Sequence, residues 1–162
     1  MKYSIPFDDI PTGAVADGYK TIAAIVVPNT AGARVRLTAV EVGPADDTPA
    51  DRNLAVKIAR VAAITSGTPG TAGTTIAAGS VPKKETRSRD SLCSGKLNYS
   101  AEPTTYETYP VFQLAVNDRG LFVKEFGDDG PVFELDQLCG LLAAPRAAAA
   151  SRVSGTLEFE EF

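Results

Sequence analysis

Apolar runs in this chain are short, and almost every one is closed off by Gly, Pro, Asn or Asp. That pattern leaves little room for helices and favours strands joined by turns. Residues 19–27 (Tyr-Lys-Thr-Ile-Ala-Ala-Ile-Val-Val) are apolar in both phases of the alternation, as in a strand buried on both faces. Such a strand is either central in its sheet or covered by another subunit. In residues 34–42, Val35, Leu37 and Ala39 share one face, then Val40 and Val42 fall on the opposite parity. One extra residue near Ala39–Val40 restores the register, which predicts a β-bulge there.

Leu54, Val56 and Ile58 alternate as in a strand, while Leu54, Ile58, Val61 and Thr65 also fit helical spacing. The valine and isoleucine content favours strand. Residues 66–75, rich in Gly and Thr, read as an exposed hairpin tip, and 76–81 as a short strand. Residues 111–116 and 121–126 flank Asn117-Asp118-Arg119-Gly120 and predict a hairpin. Short strands follow at 132–135 and 140–145, and the alanines of 147–150 could form no more than a helical turn. Val153, Gly155, Leu157 and Phe159 then alternate with polar residues as a half-buried strand.

About eight strands without a convincing helix predict a single-domain, all-β antiparallel sandwich, with a jelly roll as its natural form. An immunoglobulin-like sandwich is the alternative, although Trp and a Cys-Trp-Cys spacing are absent. The 162 residues suit one domain. Residues 1–18 carry Pro6, Pro11, Gly13 and Gly18, which predicts an extended N-terminal arm lying on something, ahead of a sandwich domain over 19–162.

The chain has no histidine, and so lacks the commonest general base and metal ligand. Two distant cysteines, Cys93 and Cys139, cannot build a zinc site, and are expected as buried reduced thiols rather than a disulfide. Asp46-Asp47 and Asp128-Asp129-Gly130 lack the alternating spacing of a calcium loop and read as turn aspartates. Gly67, Gly70 and Gly73 do not have dinucleotide-loop spacing, and Gly95-Lys96 lacks the rest of a P-loop. A glycosidase would need two of Glu102, Glu107, Glu125 and Glu134 facing each other across a cleft. These observations predict neither an enzyme nor a cofactor.

Net charge is −4, which argues against nucleic acid or anionic lipid as a partner. No apolar run approaches the ~20 residues of a membrane span, and the first residues lack a signal-peptide core, so synthesis in the cytoplasm is expected. Charge is nonetheless uneven. Residues 83–96 hold five basic and two acidic side chains, and residues 102–162 hold four basic and eleven acidic ones. This layout suits docking between copies or onto a charged partner, or else two solvated surfaces. Tyr99, Tyr106 and Tyr109 could serve an interface, line a sugar site or cap the core.

The strand Lys20-Thr21-Ile22-Ala23-Ala24-Ile25-Val26-Val27, the following Arg34-Val35-Arg36-Leu37, the central Asn98-Tyr99-Ser100-Ala101-Glu102-Pro103-Thr104 and the final Gly155-Thr156-Leu157-Glu158-Phe159-Glu160-Glu161 resemble the small β-sandwich proteins that decorate or cement the heads of tailed bacteriophages. The resemblance covers roughly residues 19–161 and is one of pattern rather than of a diagnostic motif. It implies a structural virion protein on the capsid exterior, often a homotrimer, that clamps neighbouring major capsid subunits. A neck or tail component and a carbohydrate-binding module are the alternatives. Expected partner contacts are the basic residues Lys83, Lys84, Arg87 and Arg89, the arm residues Tyr3, Ile5 and Phe7, and an open edge strand.

Overall fold

The computed structural model describes residues 1–30, 32–45, 53–62, 68–69, 75–103, 106–107, 109–117, 120–146 and 149–162. The expected turns around Asp46-Asp47 and Asp118-Arg119, most of the Gly-Thr tip, and the start of the alanine run lie outside them.

Thirteen strands are present among the described residues: β1 (Lys2–Pro11), β2 (Lys20–Val27), β3 (Val35–Pro44), β4 (Asn53–Val61), β5 (Thr68–Pro69), β6 (Thr75–Ile76), β7 (Ser94–Leu97), β8 (Tyr99–Ala101), β9 (Phe112–Asn117), β10 (Phe122–Glu125), β11 (Val132–Phe133), β12 (Gln137–Pro145) and β13 (Arg152–Glu161). Eight of them make two packed antiparallel sheets, in the orders β1-β13-β3-β10 and β2-β12-β4-β9. Apart from the step from β4 to β9, each of these eight passes to the opposite sheet, which is the path of a jelly roll. Seven of these framework strands fall on expected runs and the eighth, β1, falls within the expected arm, while the strands expected at 76–81 and 132–135 are represented only by the short additions β6 and β11. Strands β7 and β6 extend the second sheet beyond β2, β11 pairs with β3, and β5 pairs with β8.

The core lies between the sheets. Tyr3, Ile5, Leu37, Val42, Ile25, Ile58, Leu141, Leu157 and Phe159 all contribute to it. Strand β2 is central, between β7 and β12, and its outer side is covered by this chain's own Tyr99 and Tyr106, packed over Ala24, Val26, Val61 and Leu138. The bulge sits one residue from its expected position. Glu158 pairs with Ala39 and Phe159 with Leu37, leaving Thr38 as the extra residue. At that point the segment after β10 makes a close approach: Phe126 N–H donates to the Thr38 carbonyl and Leu37 N–H to the Pro131 carbonyl, at 2.8 and 3.0 Å. A Cβ on Gly130 would lie 1.8 Å from the Leu37 carbonyl oxygen, so only glycine fits there.

Two expectations need correction. Strands β9 and β10 exist but are not a hairpin: β9 pairs with β4 in one sheet and β10 with β3 in the other. Their connection crosses the sandwich, and Phe112, Phe122 and Phe126 meet across the gap, Phe112 stacking on Phe122 at 6.4 Å and meeting Phe126 edge-on at 5.5 Å. Nor do residues 2–11, within the extended arm expected over residues 1–18, merely lie on the sandwich. They are edge strand β1, paired along β13. Pro6 is compatible with a strand because that strand is at an edge. Asp8 and Asp9 form a bulge, where Asp9 takes a positive φ of 51° and its N–H donates to Ser154 Oγ at 2.9 Å.

Candidate functional site

The residues expected to contact a partner divide into two groups with different fates. Tyr3 and Ile5 are fully buried and Phe7 nearly so; all three point into this chain's own core. The correction has a simple cause. Tyr3, Ile5 and Phe7 alternate with Lys2, Ser4, Pro6 and Asp8, a strand period that was legible but masked by the prolines.

The basic residues lie together on a segment that closes the edge of β1. Ser4 N–H donates to the Pro82 carbonyl at 3.0 Å, Lys84 N–H donates to the Lys2 carbonyl at 2.9 Å, and Tyr3 and Lys83 form a bridge. Their charges find partners within the same chain. Lys83 pairs with Asp90 at 2.7 Å, Lys84 with Glu158, and Arg89 with Glu161 at 3.9 Å. Arg87 is exposed and has no ion pair among the described residues. The basic loop and the acidic end of the chain thus meet intramolecularly.

Glu161 anchors this segment from below. Its buried carboxylate accepts from Ser91 Oγ and from the backbone N–H groups of Cys93 and Leu92, at 3.1 and 3.3 Å. The Tyr3 hydroxyl donates to the Arg89 carbonyl at 2.9 Å. Burial pushes the Cys93 thiol well above the usual range, and the Glu161 charge and hydrogen bond add to the rise. Cys139 is raised by burial. Both thiols are free and buried, as expected from the sequence.

The second polar cluster holds the β8 region on the outer face of β2. Glu102 accepts from Thr21 N–H at 2.9 Å and from Thr21 Oγ1, and Tyr106 donates to it at 3.3 Å. Burial first, then Glu102, raises the Tyr99 hydroxyl; burial likewise dominates at Tyr106. Lys20 reaches the Pro11 carbonyl at 3.0 Å and Asn98 Oδ1 at 2.6 Å. Tyr99 is buried and Tyr106 half-buried, while Tyr109 is 82% exposed. The three tyrosines do not form a shared face.

The four glutamates considered as an acid–base pair are separately engaged or separately exposed. Glu102 is in the cluster just described, Glu107 pairs with Arg60 at 3.1 Å, Glu134 pairs with Arg34 at 2.5 Å, and Glu125 lies exposed on the outer face at β10. Asp128 is fully exposed, 4.0 Å from Arg36. An open hollow of about 230 Å³ beside the last residue is lined by Ala33, Arg34, Glu134, Leu135 and Phe162. It holds an ion pair and apolar surface, with no nucleophile beside a base. Among the described residues, no three His, Cys, Asp or Glu side chains come together to hold a metal.

The feature that sequence reasoning passed over is the exposed apolar surface at β10, where Leu121 and Val123 are 63% and 50% exposed. Its signal was the alternation of Leu121 and Val123 with Phe122 and Lys124, read as part of a hairpin.

No protein-family model matches the chain, and no curated protein matches it. Among solved structures, the infectious bursal disease virus Gx strain aligns at 14% identity and a TM-score of 0.23, over 100% of this chain and 40% of the viral one. T=1 particles derived from infectious bursal virus align at 16% identity and a TM-score of 0.23, with the same coverage. The chain spans about two fifths of the length of these viral chains.

Proposed function

We propose that this chain is a structural virion protein that binds the outer surface of a tailed-phage capsid and cements neighbouring major capsid subunits. The observation that carries the reading is the eight-strand jelly-roll path, β1-β13-β3-β10 over β2-β12-β4-β9, in a chain whose polar clusters are spent on its own loops. Jelly rolls serve capsids, lectins and cupins alike, so the assignment is by analogy of fold together with the pattern resemblance above. The site chemistry supports the structural member of that set. A cupin-like metal centre has no histidines to draw on. A sugar site would need an exposed aromatic platform, and of Tyr99, Tyr106 and Tyr109 only Tyr109 is exposed. Many symmetry-related copies on a shell would turn a modest contact into firm attachment.

The test is the copy number of this protein in purified particles of the phage that encodes it, measured by quantitative mass spectrometry against the major capsid protein. A simple fraction of the capsid subunit number, amounting to hundreds of copies, is expected. A handful of copies would assign the chain to the neck or tail, and absence from particles would overturn the virion reading.

A further inference from the structure

The sheet β1-β13-β3-β10 ends differently on its two sides. At β1 the edge is closed by residues 82–84 and interrupted by Pro6 and the Asp8–Asp9 bulge, three devices that block strand addition. At β10 the sheet order ends, and no described residue pairs with its outer side. Phe126 N–H turns inward to Thr38. By the alternation of an antiparallel ladder, Phe122 and Lys124 also turn their backbone groups toward β3, and Val123 turns its N–H and C=O to the open side. The outer face of this open edge carries the exposed apolar pair Leu121 and Val123, with Glu125 beyond them.

We propose that β10 pairs antiparallel with β10 of a second copy of this chain about a two-fold axis, Val123 opposite Val123, joining two sheets into one. Two arguments select a second copy. First, the chain closes its own β1 edge, so copies cannot add head to tail through this sheet. The contact that remains is β10 on β10, which is isologous and closes as a dimer instead of growing a filament. Second, the register is complementary. Val123 on Val123 sets Leu121 against Glu125 and Phe122 against Lys124, with no like charges opposed. The Lys124 ammonium, already 5.5 Å from the centre of the Phe126 ring, gains a second aromatic neighbour. A slip of one pair toward Glu125 would oppose Lys124 to Lys124, which is unfavourable. This inference stands apart from the virion reading: a dimer in solution does not depend on a capsid, nor capsid binding on a dimer.

The experiment is sedimentation velocity of the purified chain at concentrations up to about 1 mM, the range suited to a contact of this small size. A monomer–dimer equilibrium is expected. Val123→Pro removes the outward N–H without touching the β3 ladder, and Val123→Lys places a charge at the axis; each should leave a folded monomer by circular dichroism and melting temperature. Tyr109→Ser, which removes a more exposed side chain outside β10, should leave the dimer intact. If Val123→Pro fails to fold, Val123→Lys decides. A wild-type monomer at every concentration, a trimer, or a dimer that survives the folded Val123 variants would overturn the proposal.

Discussion

The Cys93 backbone N–H donates to the Glu161 carboxylate at 3.1 Å, joining the long insertion between β4 and β9 to the penultimate residue of the chain. Because Ser91 and Leu92 donate to the same carboxylate, one side chain ties residues 91–93, the end of the segment that closes the β1 edge, to β13.

Glu161→Ala should therefore destabilise the fold by about 3 kcal/mol, since buried donors lose their acceptor. Glu161→Gln keeps one carbonyl acceptor and should lose less. Urea unfolding of the two variants checks this; equal losses would show that the hydrogen bonds are not what matters.

Gly155→Ala should be far more damaging than Gly127→Ala. A Cβ on Gly155 would lie 2.0 Å from the Glu41 carbonyl oxygen and 2.8 Å from Phe7 Cζ, whereas Gly127, at φ +58°, has open space around it. The first change forces β13 away from β3, at a cost above the roughly 1–3 kcal/mol of ordinary overpacking. The second costs about 1–2 kcal/mol for the left-handed backbone alone. Soluble yield and melting temperature read the difference.

Both thiols should resist a thiol-specific reagent at pH 8 in the folded protein and react at once in denaturant. Burial holds both in the neutral form, and the Glu161 charge reinforces this at Cys93. Glu161→Ala should speed the labelling of Cys93 more than that of Cys139, by freeing the segment that carries it. Peptide mapping of the labelled sites decides; equal rates would count against the anchoring role.

A double-mutant cycle at Phe112 and Phe126 should return a coupling of about 0.5–1.5 kcal/mol, the worth of an edge-on aromatic pair. A coupling near zero would mean that the crossing between β9 and β10 is held by backbone alone.

Replacing Lys83, Lys84, Arg87 and Arg89 together with Ser should weaken capsid attachment, and wild-type attachment should fall with salt. Three of these residues also hold ion pairs within the chain, so the cleaner probe is Arg87→Ser, which breaks none of them. Loss of occupancy in Arg87→Ser at unchanged melting temperature would mark direct contact. Full occupancy of the fourfold variant at moderate salt would remove the basic loop from the interface. Lys84→Ser alone should cost less than about 1 kcal/mol of stability, because the pair with Glu158 is partly exposed.

What the sequence alone determined is local. The two-residue period places Val153, Leu157 and Phe159 inward, shows β2 buried on both faces, and announces the phase slip at β3 within a residue of Thr38, because side-chain alternation is a property of each strand by itself. What only the tertiary structure decided is which strand hydrogen-bonds to which. Residues 111–126 carry the pattern of a hairpin whether their strands pair with each other or, as here, with β4 and β3. The same holds for charge: a basic loop and an acidic terminus far apart in sequence invite an external partner, until the β1-β13 ladder brings Lys84 to Glu158 and Arg89 to Glu161. Periodicity records which way a side chain faces; partner choice depends on contacts between segments distant along the chain, where no local pattern reaches.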